Sequence, residues 1–318
     1  MRTILIAAAL LALPGWCAAQ SYPEKTIRIV CPTSPGGGTD LVSRMLAQKL
    51  NKALGQPVVV ENRGGAGTTL GTALVAKAPP DGYTLLLTHT SLAFNATFYR
   101  HLSFDAVKDF APVSLLASQP FVVVVHPSLP AKSLRDLLAL AKSQAGEIQY
   151  ASGGAGSGPF MATELLKQMA HVDLLHVPYK GAGPAFTDLM GGQVQVMIGT
   201  FSLALPHAKI GRVRALAVTS EKRAPAAPEL PTVAEAGVPG YSFETWYGLL
   251  APAGTPDAIV SKLNALTVKA VASPDSRARL VDAGLEPVSS SSAEFAAHLA
   301  GEVEKWRKVV TAAKISAN

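Results

Sequence analysis

The sequence predicts an α/β fold of two facing lobes, each a sheet flanked by helices, with a ligand cleft between them. Three observations predict it. Strand-sized apolar runs alternate with helix-period patterns along the chain, the pattern of layered α/β proteins with largely parallel strands. A length of 318 residues suits two domains. Glycine-rich turns recur where a strand passes into a helix, among them residues 35–40 in one half and 178–184 in the other. Ligands of open α/β sheets bind beyond the carboxyl ends of strands, so two such sets of strand ends enclose a cleft.

Residues 1–19 read as an export signal. Arg2 supplies a positive start, and residues 4–13 form an apolar core too short to span a bilayer. Pro14-Gly15 breaks that core, and Cys17 and Ala19 are the small residues that place cleavage after Ala19. A lipid anchor on Cys17 would need small residues before it, where Trp16 stands. No later run is long enough for a membrane helix, so the mature chain is expected to be exported and soluble. Loss of Arg2 takes 28 basic residues to 27 against 22 acids, a net charge of +5. That charge is dispersed, and no basic block forms a nucleic-acid footprint. Cys31 is left as a single thiol in an apolar strand, a buried small residue rather than a nucleophile.

The elements follow in order. A strand over 27–31 leads through Pro35-Gly36-Gly37-Gly38-Thr39-Asp40 into a helix with apolar positions Leu41, Met45, Leu46 and Leu50. A strand over 58–60 precedes Gly64-Gly65-Ala66-Gly67 and a helix reaching Val75. Strands over 83–88, 113–116 and 121–125 come next, the last two separated by Ser118-Gln119-Pro120. A second series begins with a helix over 133–142 capped by Ser133. It continues with a strand over 148–151, a glycine-rich turn over 152–159, and a helix to Met169. A strand over 174–177, the turn over 178–184, a helix to Met190, and strands over 194–198 and 213–218 complete it. A proline-rich connection over 224–239 leads to a strand over 243–250 and helices over 256–271 and 275–283. The last helix, 293–313, carries a packing stripe of Phe295, Leu299, Val303, Trp306 and Val310. Residues 20–120 are thus expected in the first lobe, 121–213 in the second and 214–285 back in the first, with 286–318 as a helix bracing both.

The glycine turns do not complete a nucleotide site. A P-loop needs Lys and then Ser or Thr after its last glycine, whereas Thr39 and Asp40 follow Gly38. Gly65-Ala66-Gly67 has its next glycine one place late, at Gly71, and Gly154-Ala155-Gly156 meets Pro159 where glycine is required. Ser157 lies directly between two glycines, which misses the spacing of a hydrolase nucleophile elbow. The seven histidines form no close metal pair, although His89 and His176 fall near strand ends and are candidates to line the cleft. No catalytic constellation, cofactor or metal is expected.

What remains is anion binding. Helix N-termini gather free N–H groups and partial positive charge, and glycine lets a ligand approach the main chain. A hydrogen bond to a charged group contributes about 1.5–3 kcal/mol, and micromolar affinity needs about 8 kcal/mol. Three or four such bonds with some apolar burial suffice. Asp40 has two readings: a strut at the helix start, or an acceptor for a ligand amine or ordered water. Arg63 has two as well, a surface ion pair or a group reaching the cleft.

These motifs together resemble the substrate-binding proteins of tripartite tricarboxylate transporters, the Bug-type periplasmic receptors. The resemblance rests on Pro35-Gly36-Gly37-Gly38-Thr39-Asp40, Gly55-Gln56-Pro57-Val58-Val59-Val60-Glu61-Asn62-Arg63 and Pro80-Asp81-Gly82-Tyr83-Thr84-Leu85-Leu86. It continues with Val177-Pro178-Tyr179-Lys180-Gly181-Ala182-Gly183-Pro184-Ala185, Ala215-Leu216-Ala217-Val218-Thr219-Ser220 and Trp246-Tyr247-Gly248-Leu249-Leu250-Ala251-Pro252. It implies a type II periplasmic binding fold in which two loops pinch a ligand carboxylate with backbone N–H groups, commonly through water. On this chain those loops are Ser34, Gly37, Gly38, Thr39 and Asp40 on one side, and Lys180, Gly181, Ala182, Gly183, Pro184 and Ala185 on the other. Thr68, Thr90, Ser91, Ser152, Ser157 and Thr200 are placed by position to select the rest of the ligand. Thr33 stands where the family often has an aromatic or apolar residue, and Gly199-Thr200 where it often has an acid or Asn.

The resemblance implies a non-enzymatic, monomeric periplasmic receptor. It would hand a small carboxylate to a membrane permease. Two alternatives stay open: a ligand-dependent protein that signals to a sensor, and a periplasmic hydrolase using Ser157 or Ser152. A bulky side chain at Gly38 or Gly183 is expected to abolish binding and to leave apo stability nearly intact.

Overall fold

The computed structural model describes residues 22–179, 181–313 and 315–316. The expected export signal and Lys180 lie outside them. In chain order the elements begin β1 (Ile27–Cys31), α1 (Gly38–Leu54), β2 (Val58–Asn62), a 3-10 turn (Ala66–Thr68), α2 (Thr69–Ala76), β3 (Thr84–His89) and α3 (Ser91–Phe98). Then come β4 (Phe110–Val125), α4 (Leu134–Ser143), β5 (Gln149–Ser152), α5 (Gly158–Ala170), β6 (Leu175–Pro178), α6 (Ala182–Met190), β7 (Val196–Thr200), α7 (Phe201–Lys209) and β8 (Arg214–Val218). The chain closes with β9 (Glu244–Pro252), α8 (Asp257–Ala272), α9 (Pro274–Asp282), β10 (Glu286–Pro287) and α10 (Ser292–Ala313).

The strands run in the order β2-β1-β3-β9-β4-β7-β5-β6, with β8 and β10 also on β4. β1, β2 and β3 are parallel, as are β5, β6 and β7. β4 belongs to both groups. Its first half pairs with β9 and β10, and its second half with β7 and β8, all antiparallel. The two halves of β4 were expected as separate strands because Pro120 cannot donate to a ladder. It is tolerated because of where it faces. Phe121 exchanges hydrogen bonds with Thr219, so Pro120 points to the opposite edge of β4. On that edge β10 reaches only Ser118 and β7 ends opposite Phe121, leaving Pro120 in the gap.

Residues 214–218 were expected with the returning first lobe. They pair instead with Val122–Val125 of β4, along the stretch that β9 leaves open beyond Glu244. The helices α3 and α7 were not anticipated.

This topology positions the site. The carboxyl end of β3 is His89, which pairs with Tyr247, itself opposite Ala117 of β4. The carboxyl end of β7 is Thr200, opposite Phe121. β3 and β7 point toward one another, and their ends meet β4 only four residues apart along the strand, roughly 13 Å at strand rise.

Side-chain alternation on β4 separates the cores. Val122 and Val124 join Ala185, Phe186, Leu189 and Phe201 on the α6–α7 face. Phe121, Val123 and Val125 join a larger core that also holds Leu86, Phe94 and Leu165. The stripe of α10 packs into that core, with Val303 at its margin. Trp306 lies edge-on to Phe94 at 5.7 Å and to Phe243 at 5.3 Å.

Candidate functional site

The turn between β1 and α1 carries the first cluster. Gly37 is the N-cap of α1, with an extended backbone and no side-chain cap. Ser34 to Gly37 are exposed. Asp40 holds the turn from beneath: the Gly36 N–H and Arg44 Nε both donate to its Oδ2 at 3.0 Å, and Asn62 Nδ2 donates to its Oδ1 at 3.0 Å. Burial pushes the Asp40 carboxyl up, but the hydrogen bonds from Arg44, Gly36 and Asn62 outweigh it and hold the pKa below the ordinary value. These are the contacts of a strut at the helix start. Asn62 also donates to the Thr33 carbonyl at 3.1 Å, while Thr33 Oγ1 lies 3.3 Å from the sulfur of buried Cys31. Gly38 packs on Tyr247, and a β-carbon there would overlap the phenol oxygen. The expectation that Gly38 could be enlarged without touching stability is thereby corrected. Arg63 pairs with Glu61.

The next loop abuts the first: a β-carbon on Gly64 would lie 3.2 Å from the Ser34 nitrogen. Residues 65–68 all have positive φ, including Ala66 (46°) and Thr68 (82°), conformations costly for side-chain-bearing residues. Asn95 of α3 fixes them, donating from Nδ2 to the Gly67 carbonyl at 2.6 Å. Thr68 Oγ1 is 2.9 Å from Ser91 Oγ. Ser91 in turn meets His89, its N–H donating to Nδ1 at 3.3 Å and its Oγ lying 3.4 Å from Nε2. Burial pushes the His89 pKa down to about 4, so the ring is neutral at neutral pH.

The second cluster lies at β5, β6 and their helices. Gly181 is the N-cap of α6, again without a side-chain cap. A β-carbon on Gly153 would lie 3.2 Å from the Ala182 nitrogen, so the turn after β5 abuts the start of α6. Ser152 is buried, with Oγ 2.7 Å from His176 Nε2 and accepting from the Gly154 N–H at 3.1 Å. His176 stacks on Tyr150 at 4.8 Å. Its pKa is lowered by burial, which outweighs the opposing pull of Glu164. Ser157 caps α5, accepting from the Phe160 N–H at 3.4 Å. The two clusters touch at Gly156, where a β-carbon would lie 2.9 Å from the Phe98 ring and 3.7 Å from Asn95 Oδ1.

The expected residues divide accordingly. Ser34, Gly37, Gly38, Gly181, Ala182, Gly183 and Pro184 lie at the two uncapped helix starts. Thr68 and Ser91 lie in the first cluster, and Ser152 and Ser157 in the second. Thr39 and Ala185 are buried in the first turns of their helices. Thr90 is buried too, its hydroxyl accepting from the Trp246 N–H at 2.9 Å and so tying β3 to β9. Thr200 is the N-cap of α7. Sequence reasoning missed Asn95, Asn62 and Tyr247. Asn62 had the one available signal, its place at the end of a strand beside a glycine pair.

For the hydrolase reading, Ser152 has the imidazole that sequence could not supply. The third member is engaged elsewhere: Glu164 accepts from the Tyr150 hydroxyl at 2.6 Å and from Lys167 at 3.1 Å. Among the described residues no group of His, Cys, Asp and Glu is placed to hold a metal ion, and no helix is long and apolar enough to cross a membrane.

Comparison with known proteins bears on this arrangement. Residues 42–315 match the tripartite tricarboxylate transporter family receptor profile. Protein BugT of Bordetella pertussis (strain Tohama I) is 37% identical over 316 residues, covering 98% of this chain and 96% of BugT. A UPF0065 protein from the tcbD-tcbE intergenic region of Pseudomonas sp. (strain P51) is 40% identical over 299 residues, covering 94% of this chain and 89% of that one. Among solved structures, an R. palustris protein with adipate is 36% identical at TM-score 0.84, covering 93% of this chain and 99% of that one. MatC of Rhodopseudomonas palustris with bound malate is 35% identical at TM-score 0.82, covering 91% and 100%. The periplasmic binding protein BugD is 34% identical, also at TM-score 0.82, covering 93% and 100%. The family and these neighbours are binding proteins, not enzymes, and the two-lobed periplasmic binding fold is theirs. The chain belongs to the tripartite tricarboxylate transporter receptor family, as a Bug-type periplasmic solute-binding protein.

Proposed function

We propose that this receptor captures a small organic carboxylate between the N-termini of α1 and α6 and delivers it to a membrane permease after export by a cleavable signal. One observation carries the reading: both helices start at glycine N-caps without a side-chain cap. Their first N–H groups and dipoles favour an anion. The adipate and malate of the two neighbours are carboxylates of the expected kind. Closure about β4 and β9, the strands at the junction, would bring the two helix starts onto opposite sides of the ligand.

Titration calorimetry of protein stripped of endogenous ligand, against a panel of organic acids, tests this. Binding of at least one acid at micromolar strength is expected. Failure of every acid would sink the proposal. Capture of permease subunits only in the presence of the bound acid tests the delivery step.

A further inference from the structure

We propose that the pole of the site formed by Thr68, Ser91 and Asn95 selects a neutral group carrying both a hydrogen-bond donor and an acceptor, such as a carboxamide or hydroxyl, over a second carboxylate. This rests on the carboxylate-receptor reading and specifies the ligand's other end.

The inference begins with Asn95. It is 1% exposed, and its Oδ1 has no hydrogen-bond partner among the described residues. Its orientation is fixed, because Nδ2 faces the Gly67 carbonyl, which can only accept. Oδ1 therefore turns away from that loop, toward Gly156 of the opposing cluster. A buried carbonyl oxygen without a donor is costly, so this position calls for a donor.

The neighbouring hydroxyls supply the complement. The Ser91 N–H donates to His89 Nδ1, which makes Nδ1 the acceptor of a neutral ring and leaves the proton on Nε2. Nε2–H then donates to Ser91 Oγ, and whichever hydroxyl donates in the Thr68–Ser91 bond, the other keeps a proton to give. Thr68 Oγ1 lies 3.4 Å from Asn95 Nδ2, which has no lone pair to offer. The Thr68–Ser91 pair thus keeps one proton to donate, beside the Asn95 side chain. The pole thus presents one acceptor and one donor, and none of its three side chains is cationic. An ionised carboxylate satisfies that hydroxyl but faces the Asn95 oxygen with another acceptor. A carboxamide or hydroxyl satisfies both.

Matched pairs differing at one end test this by calorimetry: succinamate against succinate, glutaramate against glutarate, adipamate against adipate, with butyrate as a plain monocarboxylate. The amide acid is expected to bind at least about tenfold tighter than its dicarboxylate at the best chain length. Thr68→Val, which removes a donor that amide and carboxylate share, should weaken both members of each pair by more than it weakens butyrate and keep the preference. Asn95→Leu, which removes the discriminating oxygen, should abolish most of the preference, with melting reporting its fold. Dicarboxylates binding as tightly as their amides would overturn the inference while leaving the carboxylate reading intact. So would equal losses for amide and butyrate in Thr68→Val. Failure of all seven acids would overturn the carboxylate reading and this inference with it.

Discussion

Gly38 and Tyr247 are in direct contact, and the space a β-carbon would take at Gly38 is occupied by the Tyr247 phenol oxygen. Tyr247 is buried and its hydroxyl donates to Gln119 Oε1 at 3.3 Å, in the middle of β4. The start of α1 is thereby tied to the strand where the two halves of the molecule join. Gly38→Ala should cost about 1–3 kcal/mol by overpacking. Adding Tyr247→Phe removes the clashing oxygen, so the double variant should be more stable than Gly38→Ala alone. Urea unfolding of the three variants checks this. Additive losses would show that the two residues are not coupled.

Gly183 behaves oppositely. Nothing lies near a β-carbon there, and the residue is exposed in the first turn of α6. Gly183→Asp should raise stability by about 0.5–1 kcal/mol, through helix propensity and the dipole. It should also abolish carboxylate binding, since a resident carboxylate then occupies the anion position. Melting and calorimetry on the same preparation separate the two effects.

Asp40→Asn distinguishes a strut from a ligand-facing acid. If Asp40 faced the bound anion, removing its charge would tighten carboxylate binding. As a strut its loss breaks the Arg44 pair and sets an amide against Asn62, so affinity should fall and stability drop by about 1–3 kcal/mol. The sign of the affinity change decides.

His89 gives the fold a pH dependence. Its pKa falls from 6.5 to about 4 on folding, so the unfolded chain binds more protons between those values. The stability it contributes is complete above pH 6.5 and is lost as pH falls toward 4. The ring keeps partial solvent contact, so the loss is at most about 3 kcal/mol. The urea midpoint of the wild type should drop more steeply over this range than that of His89→Gln. Parallel curves would show that the ring does not titrate as described.

Much of this arrangement is legible in the residues. Glycines between an apolar strand and an amphipathic helix mark both uncapped helix starts, and the α10 stripe has a clean helical period. Other elements leave no such trace. α3 is buried on nearly every side, including Ser91 and Asn95, so its sequence shows no contrast between faces from which a period can be read. Its loss from the sequence reading takes Asn95 with it. α7 holds Pro206, which reads as a breaker. Pro120 looks like an interruption of β4 because its tolerance depends on β10 and β7 leaving a gap, and both lie far away in sequence.

The continuity of β4 has a consequence for how this chain can change. One strand sets the inside–outside parity of both sheets, since Val122 and Val124 face one core while Val123 and Val125 face another. Deleting a single residue between Ala117 and Phe121 would invert that parity downstream, sending each valine to the wrong core. A length change is thus ruinous in the strand that joins the lobes. New specificities have room to arise at the loop tips, while the junction admits substitution only.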